Sequence, residues 1–174
     1  MVMNKTQLLI SLEDSRWESL LPDMGDYSSQ VMQKTIEFIA SLGEIDFLDK
    51  NKPLSINLCL SNNENVHRLN KEFRHMDKPT NVLSFANIDD EAFLEECELY
   101  DEIELGDIII ALETLQQEAE IKNIPLKNHY THLLVHGILH LLGFDHMEDE
   151  EAEYMESCEI KILEKFNIPN PYEE

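Results

Sequence analysis

The sequence predicts one domain of mixed α and β structure, α/β or α+β, spanning residues 1–174. Three observations predict it. Apolar residues alternate in some short stretches and recur at helical spacing in others. The two kinds of stretch interleave along the chain. No repeat, flexible linker or low-complexity segment marks a second unit. At 174 residues the chain is long enough to bury a core without staples.

Taken in order, Thr6 to Leu12 alternates weakly and predicts an opening strand. Ser28 to Leu42 carries Val31, Met32, Thr35, Ile36, Ile39 and Ala40 at helical spacing, with Gly43 as a C-terminal stop. After Pro53, the alternation of Leu54 to Leu60 predicts a strand. Ser61 with Glu64 three positions on has the form of a capping box, which predicts a helix from Asn62 to Phe73. Pro79 interrupts, and strands are predicted at Asn81 to Ile88 and at Asp107 to Leu112. The acidic stretch between them, 89–105, reads as a solvated loop or short helix. Three helices follow: Glu113 to Ile121, ended before Pro125; Leu126 to Leu142, apolar enough to be buried; and Glu148 to Phe166, with Ala152, Met155, Ile162 and Phe166 on its apolar face. The acidic first turn of the last helix suits the positive end of its dipole. From Asn167, two prolines predict a tail that hugs the surface or frays.

Composition narrows the class. An apolar content of 43% argues against wholesale disorder. No apolar run approaches the roughly 20 residues that span a bilayer, and Met1 to Leu12 lacks the pattern of a signal peptide. Cys59, Cys97 and Cys158 are odd in number and form no CxxC pair, so they read as small apolar residues in a reducing compartment. A cytoplasmic location without membrane attachment is the expectation. The net charge of −23 opposes phosphate overall. It is unevenly spread: Asp89 to Asp107 holds ten acidic side chains and no basic one, and Asp145 to Glu159 holds eight. Arg68, Lys71, Arg74 and Lys78, with His67 and His75, make a local basic strip. Screening over about 8 Å lets such a strip outweigh the distant total.

The chemistry lies in Val135-His136-Gly137-Ile138-Leu139-His140-Leu141-Leu142-Gly143-Phe144-Asp145-His146. His136 and His140 are four apart, so a helix projects both rings from one face, where they can grip one ion. On a continuing helix His146 would sit roughly 240° around and face away. It joins only if the helix stops, and Gly143 is the residue suited to the left-handed turn that stops it. His132 offers a rival register with His136, but eight residues of helix place it roughly 12 Å from His140. It reads as a packing partner behind the site, and His67, His75 and His129 read as surface residues. Three histidines without a fourth protein ligand form a catalytic arrangement, with water at the open position and its pKa lowered towards about 7. One transition-metal ion per chain is expected, zinc first, with copper, nickel or iron also suited to imidazole. The metalloprotease pattern needs Glu after the first histidine, and here that residue is Gly137. Asp145 reads as a residue that orients a ligand.

The string His136-Gly137-x-Leu139-His140-Leu141-x-Gly143-Phe144-Asp145-His146 resembles the signature of the YbeY family, bacterial metal-dependent endoribonucleases of ribosomal RNA maturation. Asn70-x-x-Phe73-Arg74 followed by Thr80-Asn81-Val82-Leu83-Ser84-Phe85 resembles that family's second motif, and Gly106-Asp107-Ile108 its third. The resemblance covers 54–164. It implies an α+β fold with a small mixed sheet flanked by helices and a metal-binding helix like that of zinc hydrolases. It also implies cleavage of single-stranded RNA, maturation of the 3′ end of small-subunit (16S) ribosomal RNA, and a part in ribosome quality control. The small ribosomal subunit or its associated proteins would be partners. Under that resemblance Arg74 is the catalytic or RNA-contacting residue, holding phosphate oxygens and offsetting their charge. Arg68, Lys71 and Lys78 are weaker backbone contacts. Asn81 stands where the family usually has Asp, and Ala86 where proline is common. Two other readings compete: a zinc hydrolase of a non-RNA substrate such as a peptide, and a non-catalytic, metal-braced module that binds ribosome-associated proteins.

Overall fold

The computed structural model describes residues 5–76 and 80–173. Lys78 and Pro79 lie outside the described residues. In chain order the elements are β1 (Thr6–Leu12), α1 (Arg16–Leu20), α2 (Met24–Ser41), β2 (Leu54–Ser61), α3 (Asn63–Arg74), β3 (Val82–Ala86), α4 (Phe93–Leu99), β4 (Ile103–Ala111), α5 (Leu112–Lys122), α6 (Leu126–Leu141) and α7 (Asp149–Glu164). Short 3-10 turns occupy Asp46–Lys50 and Asn87–Asp89. This is an α+β domain around one mixed sheet.

The sheet order is β1-β2-β4-β3. β1, β2 and β4 run parallel, and β3 is antiparallel on the β4 edge. Side chains alternate across the pleat, so Leu54, Ile56, Leu58 and Leu60 of β2 and Ile108 and Ile110 of β4 enter the larger core beneath α2, α6 and α7. On the opposite face a smaller core gathers Leu83, Ile109 and Ala111 under Val66 of α3. The run Ile108-Ile109-Ile110 is therefore apolar throughout because β4 is covered on both sides there.

Boundaries moved where packing or capping outweighed local pattern. Asn62, not Ser61, caps α3, its side chain accepting from the Asn65 N–H at 2.9 Å. Ser61 instead ends β2, its backbone carbonyl accepting from the indole N–H of buried Trp17. The strand expected at 81–88 shortens to five residues, and the one expected from Asp107 begins at Ile103. The acidic stretch folds into α4, pinned by Phe93 and Cys97 in the core. The short helix α1 and the turn at Asp46–Lys50 carried no periodic signal in the sequence; single buried anchors, Trp17 and the Phe47-Leu48 pair, hold them. The three cysteines are free thiols, as expected, with Cys97 and Cys158 buried. The tail stays against the body, with Ile168 in the core. Among the described residues, no helix is long and apolar enough to cross a membrane.

Candidate metal centre

Helix α6 lies across β3 and β4 so closely that a Cβ on Gly137 would meet Ile108 and the Ser84 hydroxyl at 3.2–3.3 Å. A glutamate there would fit only if the Ile108 and Ser84 side chains gave way by a few tenths of an ångström. His136, just before Gly137, and His140, one turn beyond His136, emerge half-buried at the mouth of a cleft. The helix then stops as the sequence requires. Gly143 takes φ +101°, its N–H donates to the His140 carbonyl at 3.0 Å, and the Phe144 N–H donates to the Leu139 carbonyl at 3.0 Å. These two bonds form the paired glycine-based helix stop. It turns the chain back and brings the exposed His146 to the other two rings.

The three histidines each offer a nitrogen, and these atoms lie within 4.8 Å of one another. Their outward nitrogens are committed. His140 Nδ1–H donates to the Phe144 carbonyl at 3.0 Å, and His136 Nδ1–H donates to the Glu159 carboxylate at 3.2 Å. A carbonyl or a carboxylate can only accept, so both Nδ1 atoms carry a proton, and in the neutral rings both Nε2 atoms present lone pairs. Those two Nε2 atoms face each other at 3.0 Å. Two bare lone pairs so close repel unless a cation lies between them. Two nitrogens roughly 2.0–2.1 Å from one tetrahedral ion stand about 3.3 Å apart, so the residues fit a metal ion. Burial, reinforced by the neighbouring His136 and His146 rings, pushes His140 down to about 4, which keeps it neutral and ready to ligate. Among the described residues no fourth His, Cys, Asp or Glu joins the group, leaving a position open.

Behind the three histidines sits a carboxylate that the sequence did not single out. Glu159 of α7 is fully buried and accepts from His132 Nε2 at 2.8 Å, from His136 Nδ1 and from the Tyr172 hydroxyl at 3.0 Å. Burial pushes this carboxyl up, but the hydrogen bonds and charges of His132 and His136 outweigh it and hold it at about 2. A signal was present: Met155, Cys158, Ile162 and Leu163 are the core face of α7, and Glu159 falls within that stripe. An acid at a core position of an amphipathic helix asks for a partner. His132 therefore packs behind the site, as expected. His129 does not lie on the surface as expected; it is buried, with Nε2 at 2.9 Å from Glu118. Helix α6 is enclosed on almost every side, so its register put His129 under α5.

The opposite wall of the cleft, about 480 Å³ in volume, brings Arg74, Thr80, Asn81, Ser84 and Asp89 to the histidines. Arg74 ends α3 and donates from Nη2 to the Ser84 carbonyl at 2.8 Å. Arg68 and Lys71, exposed on the same helix, do not line the cleft, and neither does half-buried His67. His75 is exposed, as expected, at the left-handed end of α3. Asn81 donates to Glu118 at 3.0 Å, and its carbonyl oxygen accepts from Val82 N–H. The amide thus suits a place facing an acceptor, and it ties the cleft wall to α5. Asp145 accepts from the His146 N–H at 2.7 Å and so shapes the loop that carries the third ring.

Comparison with known proteins agrees with this geometry. The family model described as Endoribonuclease YbeY matches residues 23–167, beginning well before the stretch in which the motifs are readable. A protein named Endoribonuclease YbeY from Zymomonas mobilis subsp. mobilis is 44% identical over 162 residues, covering 92% of this chain and 86% of that protein. One of the same name from Sinorhizobium fredii is 38% identical over 170 residues, covering 98% and 94%. A Thermotoga maritima protein solved in solution superposes with a TM-score of 0.53 at 19% identity, covering 97% of this chain and all of the other, which shows a shared fold.

Proposed function

The chain belongs to the YbeY endoribonuclease family, and from that premise we propose that it is a metal-dependent endoribonuclease of ribosomal RNA processing, cutting single-stranded RNA at the cleft between α6 and β3. His136, His140 and His146 hold one ion, for which zinc is the best match to three imidazoles with an open position. Arg74 is the catalytic residue that binds phosphate. The finer assignment is maturation of the 3′ end of small-subunit (16S) ribosomal RNA, with a part in ribosome quality control. The net charge of −23 favours delivery of the RNA by the small subunit or its proteins over capture of free RNA.

One observation carries this reading: two imidazoles with bare Nε2 atoms at 3.0 Å share a cleft with a guanidinium. When bound, the ion supplies positive charge that activates an attacking oxygen at neutral pH. Glu159 and the Phe144 carbonyl fix the tautomers of His136 and His140, so the ligands need no rearrangement. The Ser84 carbonyl takes one N–H of Arg74 and sets the plane of the guanidinium. The remaining N–H groups can hold two phosphate oxygens and offset charge as the phosphorus centre crowds.

The test is cleavage of a single-stranded ribosomal RNA 3′ precursor by zinc-loaded protein, beside His140→Ala and Arg74→Ala. The native protein should cut. His140→Ala should lose metal and activity by roughly a thousandfold. Arg74→Ala should keep its metal and lose roughly a hundredfold or more in rate. A 2′,3′-cyclic phosphate end would mark attack by the RNA 2′-hydroxyl, and a 5′-phosphate opposite a free 3′-hydroxyl would mark direct attack by water. Equal cutting by all three proteins would refute the assignment.

A further inference from the structure

The face of the sheet opposite α6 is open beside α3. Across it, Leu9, Asn57, Asp107 and Phe85 are register partners on four successive strands and form one row. The row leads into a groove of about 420 Å³ whose end is walled by Phe73 and Phe85. These rings meet edge to face, centroids 6.0 Å apart, and Phe73 is 62% exposed despite its size. Asn57 donates to one oxygen of Asp107 at 2.9 Å. The other Asp107 oxygen and the Asn57 carbonyl oxygen carry no partner among the described residues, so the groove floor presents acceptors. Arg74 joins this groove to the metal cleft. Its guanidinium stands over the Phe85 ring at 5.7 Å while it lines the wall facing the histidines. Because β3 is the edge strand, nothing in the sheet lies beyond it to separate the two faces.

We infer that this groove is a base-binding subsite: a nucleobase next to the phosphate held at Arg74 stacks on the exposed ring of Phe73, with Phe85 meeting it at the edge, and its amino group donates to Asp107. The inference rests on the nuclease reading and deepens it by naming what flanks the cut. A phosphate would be repelled by Asp107, so the backbone passes at Arg74 and the base enters the groove. Aromatic faces accept any base of a single strand, as in other sheet-faced RNA binders. The acceptors on the floor select among bases. Cytosine offers its N4 amino group where uracil offers a carbonyl oxygen, which a carboxylate repels. The subsite therefore prefers cytosine to uracil.

Binding is measured by fluorescence anisotropy on full-length protein freed of metal by chelation, so that no RNA is cut, with labelled C8 and U8 octamers. Native protein should bind C8 about tenfold more tightly than U8. Phe73→Ala, at an exposed position, should weaken both by about tenfold. Asp107→Asn supplies an amide that can donate to uracil and should erase the preference. Leu94→Ala, on an exposed site of α4, should match native protein, and circular dichroism checks that every variant is folded. Unchanged binding and preference in both groove variants would overturn the subsite, while cleavage by native protein would leave the nuclease reading intact. Native protein that neither cuts nor binds RNA would overturn both.

Discussion

The two walls of the cleft are built in different ways. The histidine wall comes from one continuous stretch, 136–146, in which helical spacing and a glycine stop place three rings by local geometry alone. The Arg74 wall is assembled from the end of α3, the edge strand β3 and the turn after it, and its neighbours come from α5. Behind the histidines the same contrast recurs: the three rings are local, but Glu159, which orients one of them, arrives from α7. Local geometry thus gathers the three histidines, while long-range packing supplies orientation and charge.

The largest expected effect breaks the remote half and leaves the local half untouched. Glu159→Gln keeps the size of the side chain and removes the charge that receives His132 and His136. Chelator competition should show zinc bound about 10–100-fold more weakly, with His136, His140 and His146 all present. Undiminished affinity would mean that local spacing is sufficient by itself.

A second test concerns the local half in metal-free protein. His140 titrates at about 4 in the folded chain, below its ordinary value of 6.5. Between those values the unfolded chain binds the additional proton. The contribution of His140 to stability is therefore complete above pH 6.5 and is lost as pH falls towards 4. Urea midpoints at pH 7 and pH 5 should show that fall, and His140→Gln should flatten it. The same drop in the variant would assign the effect to other groups.

The smallest effect sharpens the role of the turn. Gly143 has φ +101°, a conformation that an alanine adopts at a cost of about 1 kcal/mol. Gly143→Ala should lower the melting temperature by roughly 2–4 °C. It should also weaken zinc binding by loosening the return of His146. An unaltered metal affinity would show that His146 reaches the site by its loop alone.

Most of the fold was legible where amphipathic periods were long. Helices α6 and α7 and the alternating strand β2 stand close to their expected bounds, and α2 was found but begins a full turn earlier than expected, at Met24. Elements held by a single anchor, such as α1 under Trp17, gave no period to read. The acidic stretch left loop and helix open, and two side chains inserted into the core decided for α4. His129 was misplaced because a helix buried on nearly all faces has no polar side from which exposure can be inferred. The family resemblance named Arg74, and the fold gave it a setting, with Ser84 beneath it and Phe85 beside it.

By itself the sequence determined that three histidines gather at one place, because 3.6 residues per turn and a left-handed glycine set where neighbouring side chains go. It also determined the absence of the peptidase glutamate, a matter of residue identity at position 137. Only the tertiary structure decided which nitrogen of His136 is free, since that depends on Glu159, 23 residues away, whereas the Phe144 carbonyl that does the same for His140 is four residues along the chain. It likewise decided that Arg74 meets the site at the sheet edge, with a second groove on the other face. Periodicity acts over a few residues of backbone, whereas burial and hydrogen-bond partners are set by segments distant in the chain that meet only when the core closes.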